Sequence, residues 1–156
     1  MQVNVEKKQA LKIAGRSFNI KNRSDAKPIR DEFLNKYKPI LKELGAAFGF
    51  LEYNAIDNSY GYFIGFELSD DDIISENRFR TYEVEESLYI ELPVEGQNLE
   101  EAYRYTYQDY FPNKKYFHGL GPDIEFYQFD SKEDKLGNIK LFICIKENPH
   151  AVGIES

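Results

Sequence analysis

Tryptophan is absent from the 156 residues, and cysteine occurs once, at Cys144. One cysteine excludes an internal disulfide framework of the kind that staples small secreted domains. The start Met1-Gln-Val-Asn-Val-Glu-Lys-Lys8 lacks a basic segment followed by an apolar one, so a cytoplasmic location is expected. No apolar run approaches the roughly 20 residues needed to cross a bilayer, so no membrane partner is expected. Positive charge is also scarce. Lys and Arg number 20 against 27 Asp and Glu, a formal net charge of -7, whereas a phosphate-backbone binder carries a basic face that releases counterions. No direct nucleic-acid partner is expected. The acidic run Ser69-Asp70-Asp71-Asp72 lacks the glycine and the distal glutamate of a calcium loop, so it reads as a solvated connection. No metal and no cofactor is expected.

Aromatic residues, by contrast, are abundant, with 12 Tyr and 12 Phe making 15% of the chain. Such a density suits a β-rich core, and Tyr adds a polar tip useful in a partly wet pocket. The length fits one domain, taken as residues 1–147, followed by a frayed tail at 148–156.

The segment Val3 to Ile20, with alternation in Ala10-Leu-Lys-Ile-Ala-Gly-Arg-Ser-Phe18, predicts a first strand. Ile29, Phe33, Tyr37, Ile40, Leu41 and Leu44 recur at helical spacing, with a break or kink expected at Pro39 and a left-handed stop at Gly45. The aromatic runs 48–56 and 60–68 flank Asp57-Asn58-Ser59 and predict a hairpin. A further extended stretch covers 79–92. Asn98 and Glu101 then stand three apart before Leu99, Ala102, Tyr103, Thr106, Tyr107 and Tyr110, which predicts a capped second helix ending near Pro112. Two strands, 123–129 and 138–146, close the chain. The order strand, helix, strand, strand thus occurs twice. It predicts an α+β fold of duplicated β-α-β-β halves with pseudo-twofold symmetry, in which a curved, mostly antiparallel sheet carries two helices on one face and a ligand groove on the other.

Sorting each strand by parity places Ile139, Leu141, Ile143 and Ile145 toward the helices, with Tyr62, Ile64 and Phe66. The uncovered face is expected to collect Phe63, Tyr89, Glu125, Tyr127 and Phe142. A carboxylate among rings can pair with a ligand cation while the rings supply dispersion and cation–π attraction. His118, in Phe117-His-Gly-Leu-Gly121, reads as a solvated loop histidine, and Cys144 as an inert buried thiol.

Several of these segments resemble the GyrI-like effector-binding family of multidrug-responsive activators and gyrase-inhibitory proteins. They are Phe48-Gly49-Phe50, Tyr62-Phe-Ile-Gly-Phe-Glu67, Tyr89-Ile-Glu-Leu-Pro-Val-Glu-Gly96, Pro122-Asp-Ile-Glu-Phe-Tyr127 and the terminal Ile145-Lys146. The resemblance implies a central groove whose motif glutamate, here Glu125, meets bulky and often cationic aromatic ligands. Regulators of this kind carry a helix-turn-helix part, which is not expected here because the first strand begins almost at once. The family's groove tryptophans have no counterpart. The expected function is a standalone domain that senses or sequesters hydrophobic cationic aromatic molecules. One alternative is a hydrolase of strained cyclopropane-bearing DNA-alkylating compounds using Glu125, and another is a protein-interaction module engaging a regulator or a topoisomerase.

Overall fold

The computed structural model describes residues 4–113 and 116–147, so the tail expected from 148 lies outside the described residues. Strands β1 (Asn4–Lys8), β2 (Leu11–Ile20), β3 (Ala46–Asn54), β4 (Ser59–Phe66), β5 (Arg80–Val84), β6 (Ser87–Pro93), β7 (Tyr116–His118), β8 (Asp123–Asp130) and β9 (Lys135–Glu147) make one sheet. Its order is β1-β6-β9-β8-β3-β4-β2-β5, with β7 added to β9, and every ladder is antiparallel. The order reads the same from both ends. One half runs first, third, second strand (β6, β9, β8), and the other runs second, third, first (β3, β4, β2). The duplicated β-α-β-β arrangement therefore holds, and the β3–β8 ladder is the seam between the halves.

The helices follow their punctuation. Helix α1 (Ala26–Lys36) stops at Tyr37, and α2 (Lys38–Leu44) restarts with Pro39 in its first turn, where a missing N–H leaves no bond unmade. Gly45, at φ 82°, donates to the Leu41 carbonyl at 2.8 Å and ends α2 in the left-handed region. Helix α4 (Leu99–Arg104) starts where the Asn98 side chain accepts from the Glu101 amide at 3.1 Å, and it widens into a π-helical turn over Tyr105–Tyr110.

Three expectations are corrected. The first strand is two strands, β1 and β2, which belong to different halves of the sheet. The stretch 79–92 is likewise divided between β5 and β6. The acidic run is no plain connection either. Asp70 accepts from the amides of Asp72 at 3.0 Å and Ile73 at 3.2 Å and so caps a short helix, α3 (Asp71–Glu76).

Two apolar clusters flank the sheet. The larger joins Phe33, Leu34, Leu41, Leu99 and Ala102 of the helices to Ile64, Phe66, Ile90, Leu92, Leu141 and Ile143 of the strands. The smaller lies on the other face and contains Ile13, Phe50, Phe63, Tyr89, Ile124, Phe142 and Cys144. Burying each such side chain contributes about 1.5–3 kcal/mol, so both faces matter to stability. Among the described residues no helix is long and apolar enough to cross a membrane.

Candidate functional site

β8 lies at the seam, and its alternate side chains serve different faces. The β8–β9 register sets Ile124 opposite Phe142, Glu125 opposite Leu141 and Tyr127 opposite Ile139. Directly opposed residues of an antiparallel ladder share a face. Leu141 and Ile139 pack toward the helices, so Glu125 and Tyr127 do too. Phe63, Tyr89 and Phe142 lie on the opposite face with Ile124. The five residues expected on one surface are therefore split between two, because sorting each strand alone leaves its register with the next strand undetermined.

Each of the three on the far face has a local partner. Phe63 stacks on Tyr82, with centroids 4.9 Å apart. Tyr89 is buried beside the Cys144 thiol, and burial first, then that neighbour, raises its pKa. Phe142 lies 3.6 Å under the Lys8 ammonium. Of the three, Phe142 alone lines a shallow groove of about 400 Å³, with Lys8, Leu11, Phe48, Ile124 and Phe126. Cys144 is buried, as expected.

On the helix side Glu125 is 1% exposed and surrounded by donors. Its Oε1 accepts from the Tyr62 hydroxyl at 2.7 Å and the Tyr127 hydroxyl, and faces the Arg30 guanidinium at 3.4 Å. Its Oε2 accepts from the Tyr103 hydroxyl at 2.8 Å. Arg30 comes from α1 of one half, and Tyr103 from α4 of the other. Gly49 is paired with Glu125 across the seam, and a Cβ there would stand 2.7 Å from both Glu125 Oε1 and the Tyr62 hydroxyl. Only glycine leaves room for that hydrogen bond. Burial first, and then the Glu125 charge, push the Tyr62, Tyr103 and Tyr127 phenols well above their ordinary range, so they remain protonated donors. Burial opposes the Arg30 charge, but the surrounding Tyr127, Glu125 and Tyr62 oxygens outweigh it and raise its pKa.

Two residues earlier on the same face stands a second buried carboxylate, Asp123, 3% exposed. Its Oδ2 accepts from the Tyr107 hydroxyl at 2.6 Å, and its Oδ1 lies 2.8 Å from His118 Nε2. His118 Nδ1 is 2.6 Å from the Gly119 carbonyl. This corrects the reading of His118 as a solvated loop residue. Burial lowers its pKa, but the hydrogen bond and charge of Asp123, with the Gly119 carbonyl, outweigh burial and hold it above the ordinary value of 6.5. A cleft of about 640 Å³ opens here between the β3–β4 hairpin and the 118–121 loop, and Arg23, Leu51, Tyr60, Tyr107, His118 and Asp123 are among its lining residues.

Sequence reasoning missed Asp123, Arg23 and Arg30 as site residues. Asp123 had a signal, since it shares strand parity with Glu125 inside the same motif. Tyr103 and Tyr107, one helical turn apart on the second helix, had one in their spacing. The arginines had none, because they come from the other half of the chain, Arg30 to Glu125 and Arg23 to the rings of Tyr107, Tyr60 and Tyr103.

Residues 4–145 match the family described as integron-associated effector binding protein. The chain belongs to that family. No curated protein matches the sequence. Among solved structures the chain is similar to SAV2435 bound to tetraphenylphosphonium, at 16% identity and TM-score 0.69, over 99% of this chain and 100% of that one. It is also similar to an integron cassette protein from the mobile metagenome of Vibrio cholerae, at 13% identity and TM-score 0.65, over 92% and 95%. A putative transcription regulation protein from Staphylococcus aureus MU50 gives 17% identity and TM-score 0.63, over 94% and 99%. Identities this low show a shared fold, and family and fold together agree with the GyrI-like effector-binding resemblance. The protein is thus an effector-binding, small-molecule-binding domain of this family.

Proposed function

We propose that the protein binds hydrophobic organic cations in the helix-side cleft, with Asp123 as the anion a ligand meets first and Glu125 as the deeper one. The observation that carries this reading is the buried carboxylate of Asp123 lining a cleft large enough for a small aromatic molecule, with a second buried carboxylate, Glu125, two residues on along the same strand face, each bonded by tyrosine hydroxyls. Rings around a fixed negative charge favour a delocalised cation over a hydrated one, because the cation loses little hydration and gains contact with the ring faces. Tetraphenylphosphonium, present in the SAV2435 structure, is a cation of this class.

The hydrolytic alternative needs a free base. Both His118 nitrogens face acceptor oxygens, so the protonated ring, favoured by Asp123 and the Gly119 carbonyl, donates at both and has no lone pair for a water. Glu125 is enclosed by four donors and 1% exposed. The arrangement holds a charge better than it moves a proton.

Titration calorimetry with tetraphenylphosphonium and with a neutral aromatic of similar size tests the reading. Asp123→Asn and Glu125→Gln are expected to weaken the cation at least tenfold and the neutral compound much less. Phe142→Leu, on the other face, is expected to change neither. Equal losses for both compounds would remove the electrostatic role.

A further inference from the structure

The cleft contains a cation of the protein's own. Arg23 sits in a 3-10 turn, Arg23–Asp25, held by the Asp25 carboxylate accepting from the Asn22 amide at 3.1 Å. Its guanidinium carbon lies 4.2 Å from the Tyr107 ring centroid, 5.4 Å from Tyr60 and 5.6 Å from Tyr103. Its Nε is buried and has no hydrogen-bond partner among the described residues. An arginine placed for structure alone ordinarily directs its N–H groups at carboxylates or carbonyls. Here the guanidinium is held by ring faces. Two of those rings, Tyr103 and Tyr107, donate their hydroxyls to Glu125 and Asp123. A cage of three tyrosines backed by two buried carboxylates is a site for a flat or soft delocalised cation.

We propose that Tyr60, Tyr103 and Tyr107 form the cation subsite of the cleft, and that Arg23 occupies it as an internal surrogate which an entering organic cation displaces. The inference rests on the reading of the cleft as the effector site, and adds to it the subsite and the residue that sets its threshold. Displacement is local. Arg23 is half-buried, in a three-residue turn beside exposed Asn22 and Ser24, so its side chain can swing to solvent without disturbing α1. A ligand must bind the cage better than the tethered guanidinium does, so weak or strongly hydrated cations such as simple ammonium ions are excluded.

The experiment measures tetraphenylphosphonium affinity for the wild type, Arg23→Ala and Arg23→Gln, with Lys21→Gln as a control that removes an exposed positive charge close by in the chain. Circular dichroism and thermal melts establish that each variant is folded, and Arg23→Gln, which keeps the side chain's aliphatic stem and removes its charge, serves if the alanine variant is not. Removing the resident cation is expected to tighten binding roughly tenfold, while Lys21→Gln gives at most about twofold. Ethylguanidinium, refilling the vacated cage, is expected to raise the Tm of Arg23→Ala but not of the wild type, and to lose that effect in Arg23→Ala/Tyr107→Leu. Affinity unchanged or weakened in the folded Arg23 variants overturns the proposal while leaving the cleft reading intact. So does an equal gain in Lys21→Gln. Absence of phosphonium binding to both the wild type and the Arg23 variants overturns both readings together.

Discussion

The two faces of β8 meet the same backbone and solve opposite problems. On the helix side, two hydrogen-bonded groups stand along β8, Glu125 with Tyr62, Tyr103, Tyr127 and Arg30, and Asp123 with Tyr107 and His118. On the other, Ile124 is packed with Phe50, Phe63 and Phe142 in an apolar cluster. An apolar contact is roughly interchangeable with another of similar volume, whereas each member of a buried polar network is costly once its partner is gone. The helix side should therefore be the fragile one, and its fragility should be chemical in kind.

Neighbouring substitutions on the two faces test this most sharply. Glu125→Ala leaves Arg30 as an uncompensated buried cation and deprives three hydroxyls of their acceptor, and is expected to cost about 3–5 kcal/mol. Ile124→Val, one residue away, is expected to cost about 0.5–1.5 kcal/mol. Urea unfolding midpoints with an unchanged slope measure both. Equal costs would mean that the carboxylate is merely one more packed side chain.

Glycines separate the same regions at a lower magnitude. Gly49→Ala drives a methyl group into the Tyr62–Glu125 bond and is expected to cost about 1–3 kcal/mol. Gly61→Ala meets open space, so it is expected to be neutral or to stabilise by up to about 1 kcal/mol through the unfolded chain.

The local rules were legible in the sequence, and the long-range ones were not. The Gly45 stop, the Asn98 cap, the hairpin and the aliphatic stripe of β9 each depend on residues a few positions apart, and each stands where spacing puts it. The placement of Glu125 depends on the β8–β9 register, which pairs positions 16 residues apart, 125 with 141. A one-residue slip would send it to the other face. Parity says that Glu125 and Tyr127 travel together and Ile124 does not, and that part held. The division of β1 from β2 was hidden for a related reason. β1 has a single apolar residue and no alternation to set it apart from β2, and only the sheet order shows that one strand serves each half.

A smaller effect spreads over pH. The folded state holds the His118 proton more tightly than the unfolded chain, because Asp123 and Gly119 outweigh burial. That stabilisation is fully present below the unfolded value of about 6.5 and is lost as pH rises through the higher folded value. Tm should fall from pH 6 to pH 9 more steeply in the wild type than in His118→Asn or Asp123→Asn. Identical profiles would show that the pair contributes no linkage.

The smallest expected effect belongs to a cation seated over a ring of the apolar face. Lys8 lies 3.6 Å from the Phe142 centroid, with Glu6 3.9 Å away. It touches one ring where Arg23 is surrounded by three, and its carboxylate partner is at the surface instead of behind the ring. Its ammonium is compact and strongly hydrated, so much of what the ring offers is already supplied by water. Lys8→Gln is expected to cost about 0.5 kcal/mol and to leave phosphonium affinity unchanged. A loss of phosphonium affinity in that variant would move the cation site to the groove at Phe142. The asymmetry between the faces would then concern stability alone, with recognition on the side where the sequence first placed Phe63, Tyr89 and Phe142.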